Sequence, residues 1–246
     1  MPRNLSPDAQ LLYGRNAVHE LVRAGRRRVR GLWATAATAE AESWLDADLL
    51  RVVEGEALTA LVGTADHQGV AAAADAYPYA ELEELLEGDR PLIVALDEVQ
   101  DPQNLGSIAR TAECAGASGL IICRHRAAEV TPAAAKASAG AVEHLPIAQV
   151  RNLADALEQA KAAGAWVYGA AGGDVGGQAP IPYDEPDYDG PVVLVVGAEG
   201  TGLRPRVART CDALVALPLH GRIDSLNVGV ATGVLLYEIL QRRGIS

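Results

Sequence analysis

The 246-residue sequence contains no phenylalanine, and Trp33, Trp44 and Trp166 are its only indoles. Because 49% of the residues are nonetheless apolar, any core must be built from aliphatic side chains, and the length suits one sizeable or two small domains. Long hydrophobic runs are missing as well. None approaches the ~18 residues that cross a bilayer, and the opening MPRNLSPDAQ lacks the apolar segment of a secretory signal; a cytoplasmic protein is expected. Cysteine is scarce: Cys114, Cys123 and Cys211 are odd in number, widely spaced and set in or beside apolar segments. That excludes a disulfide framework and a zinc site, so no metal is expected and all three read as core thiols.

Positive charge is in short supply too, and a formal net charge of −11 argues against a general nucleic-acid coat. What basic charge there is comes in clusters. Arg23, Arg26, Arg27, Arg28 and Arg30 lie within eight residues, Arg204, Arg206 and Arg209 form a second group, and Glu81 to Asp89 carries five acids and no base. For the first cluster a basic binding patch on an acidic body and a solvated helix end and strand edge fit equally. Several catalytic signatures are absent: the Walker spacing with its lysine, a G-x-S-x-G elbow, and any histidine-rich metal pattern. GAAGGDVGG, from Gly169 to Gly177, resembles a phosphate-cradling loop, but the proline-rich QAPIPYDEPDYDG follows it instead of a helix. A nicotinamide enzyme is therefore not expected.

What is present is an alternation of short apolar runs and helical patterns. Asn16 to Ala24 reads as a helix closed by Gly25, and strands are expected near Val29–Trp33, Leu50–Val53 and Val70–Ala74, with helices around Ala39–Leu45 and Glu56–Val62. This forms a small α/β unit over residues 1–75. The acidic YPYAELEELLEGDR follows as a linker over 76–90. From 91 to 246, runs at Leu92–Leu96, Gly119–Cys123, Trp166–Tyr168, Val192–Val196 and Ala213–Leu217 alternate with helices at Ser107–Ala115, Pro132–Ser138 and Leu153–Ala163. That pattern predicts a parallel sheet covered on both faces, and ligands of such sheets sit beyond the strands' carboxyl ends.

Three loops leave such ends carrying polar groups that packing does not require. In DEVQDPQNLGSIARTAECAG, Asn104 is expected just ahead of a helix and Arg110 one turn inside it, so that both converge on one point. In GAEGTGL, Gly197 permits a sharp turn and Glu199 is presented at the rim. In LPLHGRIDSLNVGVATGVLLYEILQRR, Arg222, Asp224, Ser225 and Asn227 crowd a helix start that needs only one capping side chain. Singly, each loop is as compatible with a cap or a turn as with chemistry. Together they form a constellation.

NLGSIAR with RTAECAG, GAEGTGL and LPLHGRIDSLNVGVA resemble, in order and spacing, motifs 1, 2 and 3 of the SpoU (TrmH) family of RNA ribose 2′-O-methyltransferases. LLYGRNAVHELV, the HQG at His67–Gly69 and KASAGAVEHLPIAQVRNL resemble its RlmB-type subgroup, the 23S rRNA guanosine 2′-O-methyltransferases. The resemblance implies a parallel α/β SPOUT domain whose C-terminal segment is threaded as a trefoil knot, preceded by a small L30e-like domain that grips RNA. It also implies S-adenosyl-L-methionine as methyl donor, contacted at Ala170, Gly197, Leu217 and Leu226, and a homodimer acting on ribosomal RNA. Arg110 is implied in activating the ribose hydroxyl, with Asn104, Glu199, Asn227 and Ser225 around it; an arginine with a free pKa above ~12 suits electrostatic stabilisation better than proton abstraction. Gly229 stands where many members carry serine. A tRNA or antibiotic-resistance rRNA enzyme of the same family, or a catalytically silent RNA-binding homologue, are the competing readings.

Overall fold

The computed structural model describes residues 9–245; the first eight residues, which hold most of the polar opening segment, and the last lie outside the described residues. Near the N-terminus, β1 (Gln10–Tyr13), β2 (Val29–Ala34), β3 (Leu50–Val52) and β4 (Val70–Ala74) form a mixed sheet in the order β1-β4-β2-β3, with β4 antiparallel to both neighbours and β2 parallel to β3. Helices α1 (Arg15–Ala24), α2 (Ala36–Ala41) and α3 (Gly55–Val62) join the strands. Strand β4, VAAAA, is buried along its whole length, and its alternate alanines face two different layers. Ala72 and Ala74 pack with Leu12, Val18 and Leu21, whereas Ala71 and Ala73 pack with Trp33 and Leu58. Helix α1 closes as expected at Gly25, in the left-handed region at φ +63°, whose N–H returns to the Leu21 carbonyl. Helix α2 starts earlier than the sequence pattern suggests because the Thr35 side chain accepts from the Thr38 N–H and caps it there.

A short helix α4 (Leu82–Leu85) leads into the second sheet. Its strands β5 (Leu92–Asp97), β6 (Gly119–Cys123), β7 (Ile147–Val150), β8 (Trp166–Ala170), β9 (Ile181–Pro182), β10 (Val192–Gly197) and β11 (Ala213–Ala216) run parallel in the order β7-β6-β5-β10-β8-β11-β9. Around it lie α5 (Pro102–Cys114), α6 (Pro132–Ala137), α7 (Leu153–Ala162), α8 (Pro205–Thr210) and α9 (Val228–Arg242). The period of two along β5 divides the layers: Leu92, Val94 and Leu96 pack with Leu105 and Ile108 of α5 and Leu236 and Ile239 of α9, while Ile93 and Ala95 pack with Leu82, Leu157 and Val207. Both faces are covered, which is why the strands read as continuous apolar runs. From β5 the chain moves outward through β6 and β7, and β10 later returns to lie between β5 and β8. The direction of travel thus reverses beside β5, the place where such sheets open a crevice at their carboxyl edge.

The acidic stretch before β5 is not a free tether. The Tyr77 hydroxyl donates to the carbonyls of Val142 and Leu145 at 2.9 and 3.0 Å, and the Ala80 N–H donates to the Ile147 carbonyl at 2.9 Å. Leu82 and Leu85 are buried, so its acids form only the solvated side. One core cluster runs from Leu12 of β1 and Leu21 of α1 to Leu105 and Val142 beside the second sheet.

Candidate active site

The first loop differs from expectation in its helix start. Asp101, not Asn104, caps α5, accepting from the Gln103 N–H at 2.9 Å, so Asn104 lies within the first turn. Six residues at 100° each then turn Arg110 about 120° away from Asn104. The expected convergence of the two within one chain fails for that reason. Arg110 is exposed and lines a separate groove with Asn16, Glu20, Glu113 and His144. Gly106 is held by packing, since a Cβ there would come within 2.4 Å of the Ala137 Cβ where α5 crosses α6.

The second loop folds back on itself. A Cβ on Gly197 would lie 2.2 Å from the carbonyl carbon of Gly202, whose own N–H donates to the Ala198 carbonyl at 2.9 Å. This tight return holds Glu199 out at the rim, where it is exposed. The third loop ends at Asn227, which caps α9: its Oδ1 accepts from the N–H groups of Gly229 and Val230 at 3.0 and 3.3 Å. The other end of the same side chain joins the first two loops. Asn227 Nδ2 donates to Asn104 Oδ1 at 3.0 Å and to Glu199 Oε1. Asn104 Nδ2 and the Val228 N–H donate to that same carboxylate oxygen at 3.2 and 3.3 Å. Asn104, Glu199 and Asn227, far apart in sequence, thus form one exposed polar cluster.

Beside this cluster opens a cleft of about 330 Å³. Ala170, Gly197, Leu217 and Leu226 all line it, together with Glu199 and Ser225. Its walls are otherwise small or aliphatic, and among the described residues its charged lining is Glu199 and Asp224. Such a site fits a nucleoside-like molecule with a cationic centre and repels a polyphosphate. The glycine-rich segment after β8 contributes Ala171 and Gly172 to the same cleft and leads into β9, not into a helix. Gly229 meets α5 closely, a Cβ there falling 2.8 Å from Ser107 Oγ.

The N-terminal arginines divide. Arg27 is 4% exposed, paired with Glu143 and donating to Gln10 Oε1 at 2.7 Å. It cannot contact RNA, because leaving Glu143 would strand a buried carboxylate. Arg30 pairs with Asp75 at 2.7 Å, and Arg26 reaches the Glu143 and Leu145 carbonyls at 3.5 and 3.4 Å. Arg23 and Arg28 stand exposed, Arg23 3.5 Å from Glu20. Of the cysteines, Cys123 and Cys211 are buried as expected, and burial pushes the Cys211 thiol up to about 12. Cys114 is exposed, because it lies at the solvent side of the last turn of α5. His67 of the HQG segment holds its own turn in place, with Nδ1 accepting from the Gly69 N–H at 3.0 Å and Nε2 meeting Thr59 Oγ1 at 3.1 Å.

Residues 91–237 match the SpoU rRNA Methylase family. The chain belongs to that family. Residues 11–80 match the RNA 2′-O ribose methyltransferase substrate binding family. Among SpoU relatives, the 23S rRNA (guanosine-2′-O-)-methyltransferase RlmB of Ralstonia nicotianae is 38% identical over 242 residues, covering 96% of this chain and 93% of that protein. The AdoMet-bound rRNA methyltransferase of Sinorhizobium meliloti superposes with a TM-score of 0.79 at 30% identity, covering 95% of this chain and 87% of the other. The SpoU methyltransferase AviRb of Streptomyces viridochromogenes, in complex with AdoMet, gives 0.79 at 28% identity over 96% and 91% of the two chains.

Proposed function

We propose that the protein transfers a methyl group from S-adenosyl-L-methionine to a ribose 2′-hydroxyl of 23S ribosomal RNA, at a guanosine, in the cytoplasm. The observation that carries this reading is the convergence of Asn104, Glu199 and Asn227 on the rim of a small-walled, anionic cleft. When bound, the cofactor supplies an electrophilic methyl on a sulfonium. Ala170, Gly197, Leu217 and Leu226 would hold it with their backbone and aliphatic groups, and the carboxylates of Glu199 and Asp224 would favour its positive charge. Asn227 fixes Glu199 and the start of α9 together, so the rim that faces the nucleotide is set before RNA arrives. Ser225 is the hydroxyl on that rim.

Arg110 then requires a second copy. Helix α9 exposes Val230, Val234 and Tyr237, 54%, 43% and 54% accessible and spaced along one helical stripe, and α9 packs beside α5. A homodimer closing over that stripe by two-fold symmetry covers it and carries the Arg110 of one protomer to the cleft of its partner. There the guanidinium would stabilise the developing alkoxide while the 2′-hydroxyl proton passes to water and the thioether product departs, rather than removing that proton itself. Residues 1–75 would serve as the L30e-like RNA grip, with Arg23 and Arg28 as its exposed cations, 76–90 as a packed connector, and 91–246 as the catalytic unit. The family's trefoil knot fits the path in which the chain, after β11, runs back to anchor α9 against Glu199. Retention of the polar cluster favours an active enzyme over a silent RNA-binding homologue.

Co-expressing Arg110→Ala with Asn104→Ala tests the shared site. Each variant alone transfers methyl groups about a hundredfold more slowly, as loss of a transition-state contact typically does, and the mixture regains a substantial fraction of the parent rate in heterodimers. Absence of recovery, with both variants dimeric and binding the cofactor, removes the shared-site reading. Absence of any calorimetric heat with S-adenosyl-L-methionine removes the methyltransferase reading itself.

A further inference from the structure

A second hollow, about 570 Å³, lies on the same carboxyl edge of the large sheet, beyond β5, β6 and β7. Arg126, Arg151, Arg204 and Arg206 line it with His125, against Glu98 and Asp155. Guanidiniums outnumber carboxylates two to one here, in a chain of net charge −11.

Packing explains only part of this. The Arg204 side chain and its own N–H donate to the fully buried Asp97 at 2.7 and 2.8 Å, which fixes one wall. Arg206 meets Asp155 at 2.6 Å in a solvated pair. The Arg126 side chain is 77% exposed, and Arg151 is exposed with no ion pair among the described residues. Two non-glycine residues at the rim hold left-handed backbone, Glu98 at φ +57° and Arg126 at φ +56°, a conformation that persists only where the surroundings over-determine it. Glu98 Oε1 is buried and accepts no hydrogen bond, with guanidinium nitrogens of Arg204 and Arg126 standing 3.5 and 3.6 Å away. That carboxylate holds two cations over the hollow without neutralising both. The start of the ten-residue α7, capped by Asn152, adds its positive end to the same space.

We propose that this hollow holds the phosphodiester backbone of the substrate RNA beside the nucleotide in the cleft, with Arg126 and Arg151 as phosphate contacts; the proposal rests on the methyltransferase reading above. Among the described residues the lining contains no tryptophan, tyrosine or phenylalanine, His125 being its one ring, so it reads charge and position more than sequence. Continuity supports the assignment. One loop carries Glu199 at the cleft and leads to Arg204 at the hollow, and Gly197 lies in register with Asp97 on the neighbouring strand. A strand leaving the cleft along this edge meets the hollow next.

The test is an Arg126→Gln/Arg151→Gln double variant, titrated by filter binding with in vitro transcribed 23S rRNA across a salt series. Each lost phosphate contact lowers the slope of log affinity against log salt by ~0.7 to 0.9, so two lost contacts lower it by about 1.4 to 1.8. The KM for RNA should rise about tenfold, with kcat and cofactor affinity at the parent values, and Arg126→Lys/Arg151→Lys should restore the slope. A parent-like slope and KM overturn the proposal, as does a slope change accompanied by lost cofactor binding, which signals a disturbed sheet edge. If the parent binds 23S rRNA but transfers no methyl group, the methyltransferase reading fails while the slope still decides the hollow.

Discussion

Glu143 and Glu199 each gather donors from distant parts of the chain, and their surroundings could hardly differ more. The Glu143 side chain is 1% exposed and takes Arg27 as its partner; Arg27 is completed by Gln10 Oε1 and, at 3.4 Å, the Asp75 carbonyl, with the Tyr77 ring 5.5 Å from its guanidinium. Every neighbour of this pair is met by another neighbour, and the pair ties the first sheet to the segment before β7. Glu199 is exposed, and three donors from the two other loops converge on one of its oxygens where water would serve as well. A closed polar cluster that satisfies itself holds a structure together. An open one that costs chain entropy to assemble, and that packing does not need, points to a ligand.

The largest effect that would break this comparison comes from the closed cluster. Glu143→Ala leaves Arg27 buried without its partner and should cost about 3 to 5 kcal/mol, whereas Arg27→Met with Glu143→Leu should recover most of it. Urea unfolding of both variants checks this; a single variant as stable as the parent would mean that the clasp holds nothing together.

Next in size is a pH effect on the same clasp. Burial pushes the Tyr77 hydroxyl up to about 12 from its ordinary 10. The folded chain therefore holds that proton more tightly than the unfolded chain, so the stabilisation is complete below pH 10 and is lost as pH rises from 10 towards 12. At about 1.4 kcal/mol for each unit, the loss reaches roughly 2 kcal/mol near pH 11.5. Tyr77→Phe should show that much less alkaline destabilisation than the parent in paired urea titrations at pH 9 and 11.5; equal losses would mean that the hydroxyl titrates normally.

The smallest effect on stability should come from the open cluster, and it sharpens the contrast. Glu199→Ala is expected to leave unfolding within about 0.5 kcal/mol of the parent, as surface changes usually do, while slowing methyl transfer to 23S rRNA about tenfold or more under saturating cofactor. A variant destabilised like Glu143→Ala but equally active would reverse the assignment of the two glutamates.

Much of the fold is legible in the sequence because its signals are local. Gly119–Cys123 and Val70–Ala74 are strands at the residues where their apolar runs lie, and Thr131 followed by Pro132 caps α6 as those residue types dictate. Strands β1, β7 and β9 are not legible: QLLY, IAQV and IP show neither strict alternation nor an uninterrupted apolar run of four. Leu217 and Leu226 stand out in the sequence only through a family resemblance, and they share a cleft with Gly197; spacing alone does not join them.

By itself the sequence determined where most helices and the longer strands lie, which faces they bury, and which loops carry polar groups in excess of structural need, since caps, periodicity and glycine turns act over a few residues. Only the tertiary structure decided what those groups do. It closed Arg27 inside while leaving Arg23 and Arg28 in solvent, because burial depends on what packs over a residue and not on its neighbours in the chain. It turned Arg110 away from Asn104 because a cap at Asp101 set the start of the helix, and it brought Asn104, Glu199 and Asn227 together because β10 returns beside β5 and α9 comes back across them.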